Sequence, residues 1–393
     1  MKEVAPKDCC GCTACASICN HDAITMKPDS LGFLYPKINP SICVDCGLCK
    51  SICQFNDQYD KSLNLKQPIA YAGRHKNMEN VMKSRSGAAF IAISDYVLEH
   101  GGVVYGAGYK DHFRVAHKRA TTKEERDEFR GSKYVQSDLT GVFRQVKDDL
   151  DNGMTVLFSG TPCQTAGLHA FVGKRLRENL YLIDIACHGV PSPYVWQDYL
   201  KYLEHKQGLK ICYVNFRDKE EFGWSAHKET FKFKNRAGKF SFSSFSFSYV
   251  FYQHIMFRKS CGNCHYTNLQ RPSDITLADY WGWQRTAPHL NADNKGVSLI
   301  LCNTEKGYSL FETVKDRMDV ISAGLDNIMQ TSFIHPHEQS AYRDAFEKEY
   351  AKCGFEKTMK KFGLMGWKFQ FMQYKKNIHH KAHILKSKVK NLL

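Results

Sequence analysis

Two stretches near the amino terminus decide the fold of this part of the chain: residues 9–19 are CCGCTACASIC and residues 43–53 are CVDCGLCKSIC. In both stretches, the intervals between successive cysteines of the motif are two, two and three residues. This is the spacing of bacterial-type iron–sulfur loops, in which three cysteines wrap one [4Fe–4S] cubane and the fourth ligates the neighbouring cubane. The repeat therefore predicts a ferredoxin-like module with two clusters.

The same rule assigns the ligands of each predicted cluster. Short strands at 23–26 and 33–38, around a turn at 28–32, are expected between the two cysteine loops. Zinc is the alternative metal, although it prefers two separated pairs of ligands to runs of this kind. Cys10 has no place in the spacing and is interpreted as a bystander thiol. The predicted ligands are Cys9, Cys12, Cys15 and Cys53 for the first cluster, and Cys19, Cys43, Cys46 and Cys49 for the second.

Composition limits the class of protein. The chain has 393 residues, of which 43% are hydrophobic, so two or three domains with a sizeable core are expected. No apolar run approaches the roughly 18 residues of a membrane span. Sixteen cysteines without an export-type leader favour reduced, metal-binding thiols over disulfides. These observations predict a cytoplasmic protein.

The charge is basic and concentrated at one end. The formal net charge is +15, and residues 357–393 contain ten lysines but no aspartate or glutamate. We interpret 351–393 as a basic tail. Such a tail can contact an anionic membrane surface, dock by its apolar residues or attract an acidic partner. Nucleic-acid binding is not expected, because the charge is not accompanied by a recognised nucleic-acid-binding fold.

The remaining chain has α/β patterning. We predict a module at 1–58, a linker at 59–68 and a mixed-sheet domain at 69–350, which makes the whole chain α+β. Alternating aromatic and serine residues from Phe240 to Phe251 predict a strand pair. The other expected elements are strands at 68–73, 103–109, 155–159 and 180–186, and helices at 88–99, 140–151 and 193–204.

Four further cysteines occur in suggestive contexts. Cys163 and Cys187 follow predicted strands, where the backbone approaches ligands in open α/β sheets. Cys261 and Cys264 form a pair separated by two residues. From spacing alone, a third cluster, a zinc site and unrelated buried thiols all remain open.

Several short motifs combine into a family resemblance that covers about residues 5–340. The chain resembles the beta subunit family of coenzyme F420 hydrogenase/dehydrogenase, in the bacterial branch with a ferredoxin module in front. The motifs that carry the resemblance are Ser84–Ala89, Gly131–Tyr134, Gly160–Gln164, Cys187–Gly189, the Cys261 and Cys264 pair, and Asp274–Gly282.

The resemblance implies an FAD and a third [4Fe–4S] cluster. The family's cluster cysteines fall on Cys163, Cys187, Cys261 and Cys264. Where the family commonly has paired glycines near Gly87, this chain has Ala88 and Ala89, so the backbone approach to flavin phosphates is expected to differ there. The implied flavin contacts are Ser86, Gly87, Gly131, Ser132, Lys133, Tyr134, Thr161 and Gln164.

What the resemblance implies for function is an iron–sulfur flavoprotein oxidoreductase. It would pass electrons from a ferredoxin-like donor through the clusters to FAD and then to an organic acceptor, deazaflavin-like or polysaccharide-related. The alternatives are an electron-transfer subunit without its own substrate and a zinc-stabilised scaffold.

Three residues are candidates for catalytic roles. Lys133 could stabilise negative charge on a reduced flavin or bind a phosphate. His188 could tune the cluster or relay a proton, or be a structural histidine. Arg217 could hold an anionic substrate or form a surface ion pair.

Overall fold

The computed structural model describes residues 8–55, 63–235, 238–244, 246–367, 369–371 and 374. The strands, in chain order, are β1 Ile24–Pro28, β2 Leu34–Ile38, β3 Asn64–His75, β4 Val103–Lys110, β5 Arg114–Ala120, β6 Val156–Gly160, β7 Leu180–Ile185, β8 Lys210–Asn215, β9 Glu229–Asn235, β10 Gly238–Ser244, β11 Ile275–Asp279, β12 Ser298–Thr304 and β13 Met318–Ser322.

Helices cover both faces of the larger sheet and link its strands. The α-helices, in chain order, are α1 Ala14–Ser17, α2 Leu48–Ser51, α3 Met78–Lys83, α4 Ala89–Glu99, α5 Lys123–Asp127, α6 Val142–Asp151, α7 Pro162–Leu176, α8 Pro193–Gln207, α9 Lys219–Phe222, α10 Ser246–Tyr252, α11 Trp283–Thr286, α12 Glu305–Val314, α13 Leu325–Ile328 and α14 Arg343–Lys361. None of the described helices is long and apolar enough to cross a membrane.

The larger sheet has eight strands in the order β13-β3-β12-β11-β7-β6-β4-β5. Its centre is parallel, since β4 pairs with β6, β6 with β7, and β7 with β11 in that sense. The strands on either side pair antiparallel, so the sheet is mixed, as predicted. Because the carboxyl ends of parallel strands meet at one edge, the loops after β6, β7 and β11 lie side by side there.

Apolar residues on the two faces of this sheet form separate cores. One face packs against α4 and α12 through residues such as Ile93 and Phe311. The other face packs against α6 and α7, and this core includes Ala14 of the amino-terminal module. Helices on both faces are the usual cover for a parallel sheet centre.

The amino-terminal module is the antiparallel hairpin β1-β2 with the short helices α1 and α2. It packs directly on α7. A Cβ at Gly167 would lie 2.6 Å from the Cys12 Cβ and 2.7 Å from its sulfur, so only glycine permits this close approach. The module is therefore built into the larger domain.

The second sheet is antiparallel, in the order β10-β9-β8. It contributes to a core with α8, α10 and α14 that contains Trp196, Phe231 and Phe247.

One expected strand pair is wrong. Residues 238–244 form β10, but its partner is β9, and residues 246–252 form helix α10. Phe247, Val250 and Phe251 are buried at helical spacing, which the aromatic and serine alternation also permits. Ser244 favours the turn, because its hydroxyl accepts a hydrogen bond from the Ser246 amide at 2.8 Å. Phe245 lies outside the described residues.

Most other predicted elements agree with the structure to within a few residues. The strand expected at 68–73 is longer, since β3 spans Asn64–His75 and includes the last residues of the linker expected at 59–68. The first residues of that linker lie within 56–62, which are outside the described part. Helix α14 crosses the expected start of the tail at residue 351. Residues 368, 372, 373 and 375–393 of that tail are also outside the described residues.

Candidate functional site

The predicted ligands of the first cluster lie together in the structure. Burial raises the pKa of the Cys15 thiol most, and the neighbouring thiols of Cys12, Cys9 and Cys53 raise it further. Burial also raises the pKa of Cys53, and Cys12 and Cys9 again contribute. The first loop and the last cysteine of the second loop therefore converge, as the spacing predicts.

The predicted ligands of the second cluster form a separate group nearer the surface. Cys19, Cys43, Cys46 and Cys49 line one small cavity. Burial raises the pKa of the Cys49 thiol, and the other three thiols of the group add to this rise. Cys46 is exposed. The surrounding surface is apolar, with Ile42 46% exposed, Val44 60% and Leu48 44%.

The third group of cysteines also converges, although its members lie far apart in the sequence. Cys163 lies in the first turn of α7 and Cys187 follows β7, whereas Cys261 lies within a short helical turn that Cys264 ends. All four line one cavity. Burial raises the pKa of Cys187 well above its usual value, and the other three thiols contribute to the rise.

The separation of the thiols distinguishes a cluster from a single ion. Among the residues that the structure describes, no three cysteine sulfurs all lie within 4.8 Å of one another. One zinc ion with Zn–S bonds of about 2.3 Å would hold its sulfurs about 3.8 Å apart. A cubane binds one thiolate at each of four irons and needs them farther apart. The three groups therefore fit clusters better than mononuclear zinc.

Cys10 has a position that its spacing does not predict. Hydrogen bonds with the sulfurs of Cys12 and Cys163 raise its pKa well above the usual value, so it lies between the first and third groups. The Gln54 amide donates to the Cys10 sulfur at 3.5 Å and to the Cys163 carbonyl at 2.8 Å. Tyr266 in turn donates to Gln54. Cys10 is thus part of the contact between two predicted cluster sites.

A larger cavity of about 350 Å³ opens at the carboxyl edge of the parallel strands. It lies where open α/β sheets usually bind ligands. Cys187 and His188 line both this cavity and the smaller cavity of the third cysteine group. The two cavities therefore share a wall.

Most of the predicted flavin contacts line the larger cavity. Thr161 begins α7 with a capping box, in which its amide donates to the Gln164 side chain at 2.9 Å. The seven predicted contacts that line the cavity are Ser86, Gly131, Ser132, Lys133, Tyr134, Thr161 and Gln164.

Gly87 is the predicted contact that the cavity does not include. A Cβ there would lie 2.2 Å from the Gly73 carbonyl oxygen, so this glycine is required for packing against β3. Its neighbour Ala88 adopts a left-handed φ of 65°, a conformation that suits glycine better than alanine. An alanine thus stands where the family commonly has a glycine, at a position with a strained backbone.

Lys133 is held by the backbone on one side of the cavity. Its amine donates to the carbonyls of Glu128 and Arg130, at 2.5 and 3.0 Å. Burial lowers its pKa to about 7, although Glu128 partly opposes this shift. A lysine with two carbonyl partners has one hydrogen left for a ligand.

Arg217 forms an ion pair, as one alternative predicted, but this ion pair is buried and does not lie at the surface. Its guanidinium lies 3.2 Å from the Asp279 carboxylate, and Arg85 lies 3.1 Å from the same group. The Nε atoms of both arginines are buried without a hydrogen-bond partner. Two guanidinium groups sharing one carboxylate leave the cavity wall with net positive charge. Arg85 and Asp279 fall within the family motifs, but their pairing could not be predicted from the sequence.

His188 is paired with another histidine. Its Nε2 lies 2.7 Å from the Nε2 of His254, and its ring stacks on that of His337 with the centroids 3.5 Å apart. Burial is the main cause that lowers the pKa of His188 to about 3. His254 and His337 lack any motif that would have singled them out.

Two family models match the chain. Residues 153–326 match the model for the carboxyl terminus of the beta subunit of coenzyme F420 hydrogenase/dehydrogenase, and residues 8–56 match a 4Fe-4S dicluster domain. No curated protein matches. Among solved structures, a chain of the xenon-derivatised F420-reducing [NiFe] hydrogenase complex from Methanosarcina barkeri is 17% identical. That match covers 78% of this chain and 93% of the other, with a TM-score of 0.45.

The fold and the cysteines together define an iron–sulfur protein, with a 4Fe-4S ferredoxin-type domain in front of a mixed α/β domain. Residues 153–326 are similar to the carboxyl terminus of the coenzyme F420 hydrogenase/dehydrogenase beta subunit. The resemblance predicted from the motifs is therefore confirmed.

Proposed function

We propose that the protein is an oxidoreductase that takes electrons from a redox partner protein and delivers them to an organic acceptor. When bound, [4Fe–4S] clusters would supply single-electron transfer and FAD would supply hydride exchange. The observation that carries the proposal is that the three cysteine groups neighbour one another in succession, from the exposed Cys46 to the cavity wall at Cys187.

The entry point for electrons is proposed at the second cysteine group. Ile42, Val44 and Leu48 give this surface an exposed apolar character, which suits contact with a ferredoxin-like partner. Cys10 and Gln54 then hold the first and third groups against each other. This short, buried contact would keep the two cluster sites at a fixed separation.

The larger cavity is the proposed site of FAD. The amino-terminal end of α7, a helix of 15 residues, lines it and attracts phosphate. The unpartnered Nε atom of Arg85 supplies a further donor for an anion. These features fit a dinucleotide with an anionic pyrophosphate, and Ser86, Ser132 and Tyr134 also line the cavity with hydroxyl groups.

The acceptor is proposed to bind beside Trp281. This ring is 42% exposed, stacks on Trp224 and lies 5.9 Å from the Arg217 guanidinium. An aromatic wall next to an arginine suits a planar, anionic acceptor. Arg217 would hold the acceptor's negative charge, His188 would carry a proton at its ring nitrogen, and Lys133 would stabilise negative charge on the reduced flavin.

The second candidate function is an electron-transfer subunit that passes electrons to a separate enzyme. The family description, which names a beta subunit, favours it. The zinc-stabilised scaffold has less support, because no three of the described cysteine sulfurs lie as close together as a mononuclear site would hold them.

The proposal predicts that electrons reach the flavin only through the third cysteine group. Anaerobic protein would be mixed with reduced ferredoxin, and the visible absorbance of the flavin followed in a stopped-flow instrument. Cys187→Ser should retain the flavin but reduce it at least about 100-fold more slowly, because one cluster ligand is lost. Cys212→Ser is the matched control, since Cys212 is exposed on β8 and belongs to none of the three groups.

Three outcomes separate the candidates. Fast flavin reduction in Cys187→Ser would contradict the proposed route. Clusters without any bound flavin would favour the electron-transfer subunit. Zinc in place of iron and sulfide would favour the scaffold. A cytoplasmic location and a membrane contact through the basic tail remain predictions, which fractionation of cells would test.

A further inference from the structure

Three histidines from separate segments meet in the wall between the two cavities. His188 follows β7, His254 follows α10, and His337 lies between α13 and α14. One ring nitrogen of each lies within 4.8 Å of the others, and all three residues are half-buried. Within the described ranges, this is the only set of three or more histidine, cysteine or acidic residues with ligand atoms this close.

Hydrogen bonds orient two of the rings as metal-bound imidazoles are oriented. The Nδ1 of His254 lies 2.7 Å from the Glu338 carbonyl oxygen. Because a carbonyl only accepts, this nitrogen carries the proton, and Nε2 of the neutral ring presents a lone pair. The Nε2 of His337 lies 3.2 Å from the Ser332 hydroxyl, which leaves Nδ1 for a ligand. Carbonyl and hydroxyl groups are typical outer partners of metal-bound histidines.

The position of the set gives an ion access to the larger cavity. His188 lines that cavity, as does Ser332, the partner of His337. Three imidazoles leave the fourth position of a tetrahedral ion open, as in catalytic zinc sites.

We propose that His188, His254 and His337 bind one divalent transition-metal ion, zinc, with its open position beside the larger cavity. When the ion binds, the proton between the two Nε2 atoms moves to Nδ1 of His188, and the separation of the two Nε2 atoms grows from 2.7 Å to about 3.3 Å. His337 turns out of its stack with His188 to reach the ion. The site would bind water or an oxygen of the acceptor, and its existence does not depend on the proposed electron route.

Zinc uptake by the holoprotein tests this site. Anaerobic protein with full iron and sulfide content, so that the cluster cysteines are occupied, would be dialysed against zinc and then against buffer. Bound zinc would be counted by mass spectrometry, and its ligands identified by X-ray absorption at the zinc edge. We expect about one zinc per chain with nitrogen or oxygen ligands at about 2.0–2.1 Å and no sulfur near 2.3 Å.

Histidine variants complete the experiment. His254→Gln and His337→Gln should lose the zinc, whereas His335→Gln should keep it, because His335 is exposed and outside the set. Sulfur ligands in the wild-type spectrum, absence of bound zinc, or zinc retained in both variants would overturn the proposal. The wild-type spectrum decides the matter even if the variants, checked by their cluster absorbance, fold poorly.

Discussion

Arg258 connects the amino-terminal module to the larger domain, and replacing it with methionine tests how the module is held. Its guanidinium donates to the carbonyls of Cys9 and Leu34, at 2.7 and 2.9 Å, and to the Gln136 side chain at 3.0 Å. It also lies 4.2 Å from the centre of the Tyr35 ring. Only 1% of Arg258 is exposed, so these contacts are shielded from water.

The size of the effect follows from those contacts. A hydrogen bond to a charged group contributes about 1.5–3 kcal/mol, so the two bonds that reach the module contribute about 3–6 kcal/mol before desolvation is counted. Removing a buried guanidinium recovers several kcal/mol of desolvation cost. We therefore expect Arg258→Met to destabilise the docked module by about 3 kcal/mol, which corresponds to about 150-fold more frequent opening.

Hydrogen exchange of the anaerobic holoprotein measures this opening. Amides of the β1-β2 hairpin should exchange about 150-fold faster in Arg258→Met than in the wild type. Arg144→Met is the matched control, because Arg144 also bonds the module, at the carbonyls of Ser17 and Cys19, but its side chain is 44% exposed. Exposed contacts of this kind contribute about 1 kcal/mol, or less than about 10-fold.

Either of two results would contradict the role assigned to Arg258. Unchanged exchange of the hairpin in Arg258→Met would mean that the buried guanidinium does not hold the module. A larger effect of Arg144→Met would mean that the exposed contacts do so instead.

Three further substitutions test other parts of the account. Burial raises the pKa of Glu229 from 4.5 to about 7, so its contribution to stability is complete below pH 4.5 and is lost as the pH rises through 7. The loss amounts to about 3 kcal/mol of unfolding free energy. Thermal unfolding of Glu229→Gln at a series of pH values should lack this decline. A glycine-to-alanine change in a helix usually stabilises it by about 1 kcal/mol. Gly167→Ala should instead lower the melting temperature, because the new Cβ would collide with Cys12. Ala88→Gly should raise the melting temperature, by relieving about 1 kcal/mol of left-handed strain, and a lower value would contradict the assignment of strain.

The cysteine spacing predicted the amino-terminal module because cluster ligation is largely local in sequence. Three ligands of each group lie within seven residues, and their separations alone define the loop. The third group was different, since Cys163, Cys187 and the Cys261 pair are brought together only by the sheet. Spacing alone did not decide whether these four cysteines bind a cluster, bind zinc or are unrelated thiols. The family motifs were needed to assign them to one site.

The rest of the site depends on contacts that no local pattern records. Arg258 and Gln136 bind the module across more than 120 residues of sequence. Cys10 looked like a bystander because its partner Cys163 is 153 residues away. The helix α10 was missed for a related reason, since alternating aromatic residues suit both a strand and a buried helix face until the true partner of β10 is known.

Metal and sulfide analysis of anaerobically purified protein shows whether the three cysteine groups hold iron–sulfur clusters. With three clusters, the wild type should contain about 12 iron and 12 sulfide per chain. Replacing the cysteines of any one group by alanine should remove about four of each and leave the other two groups loaded. A chain that holds zinc without sulfide, or that keeps its full iron content after the third group is removed, would contradict the account.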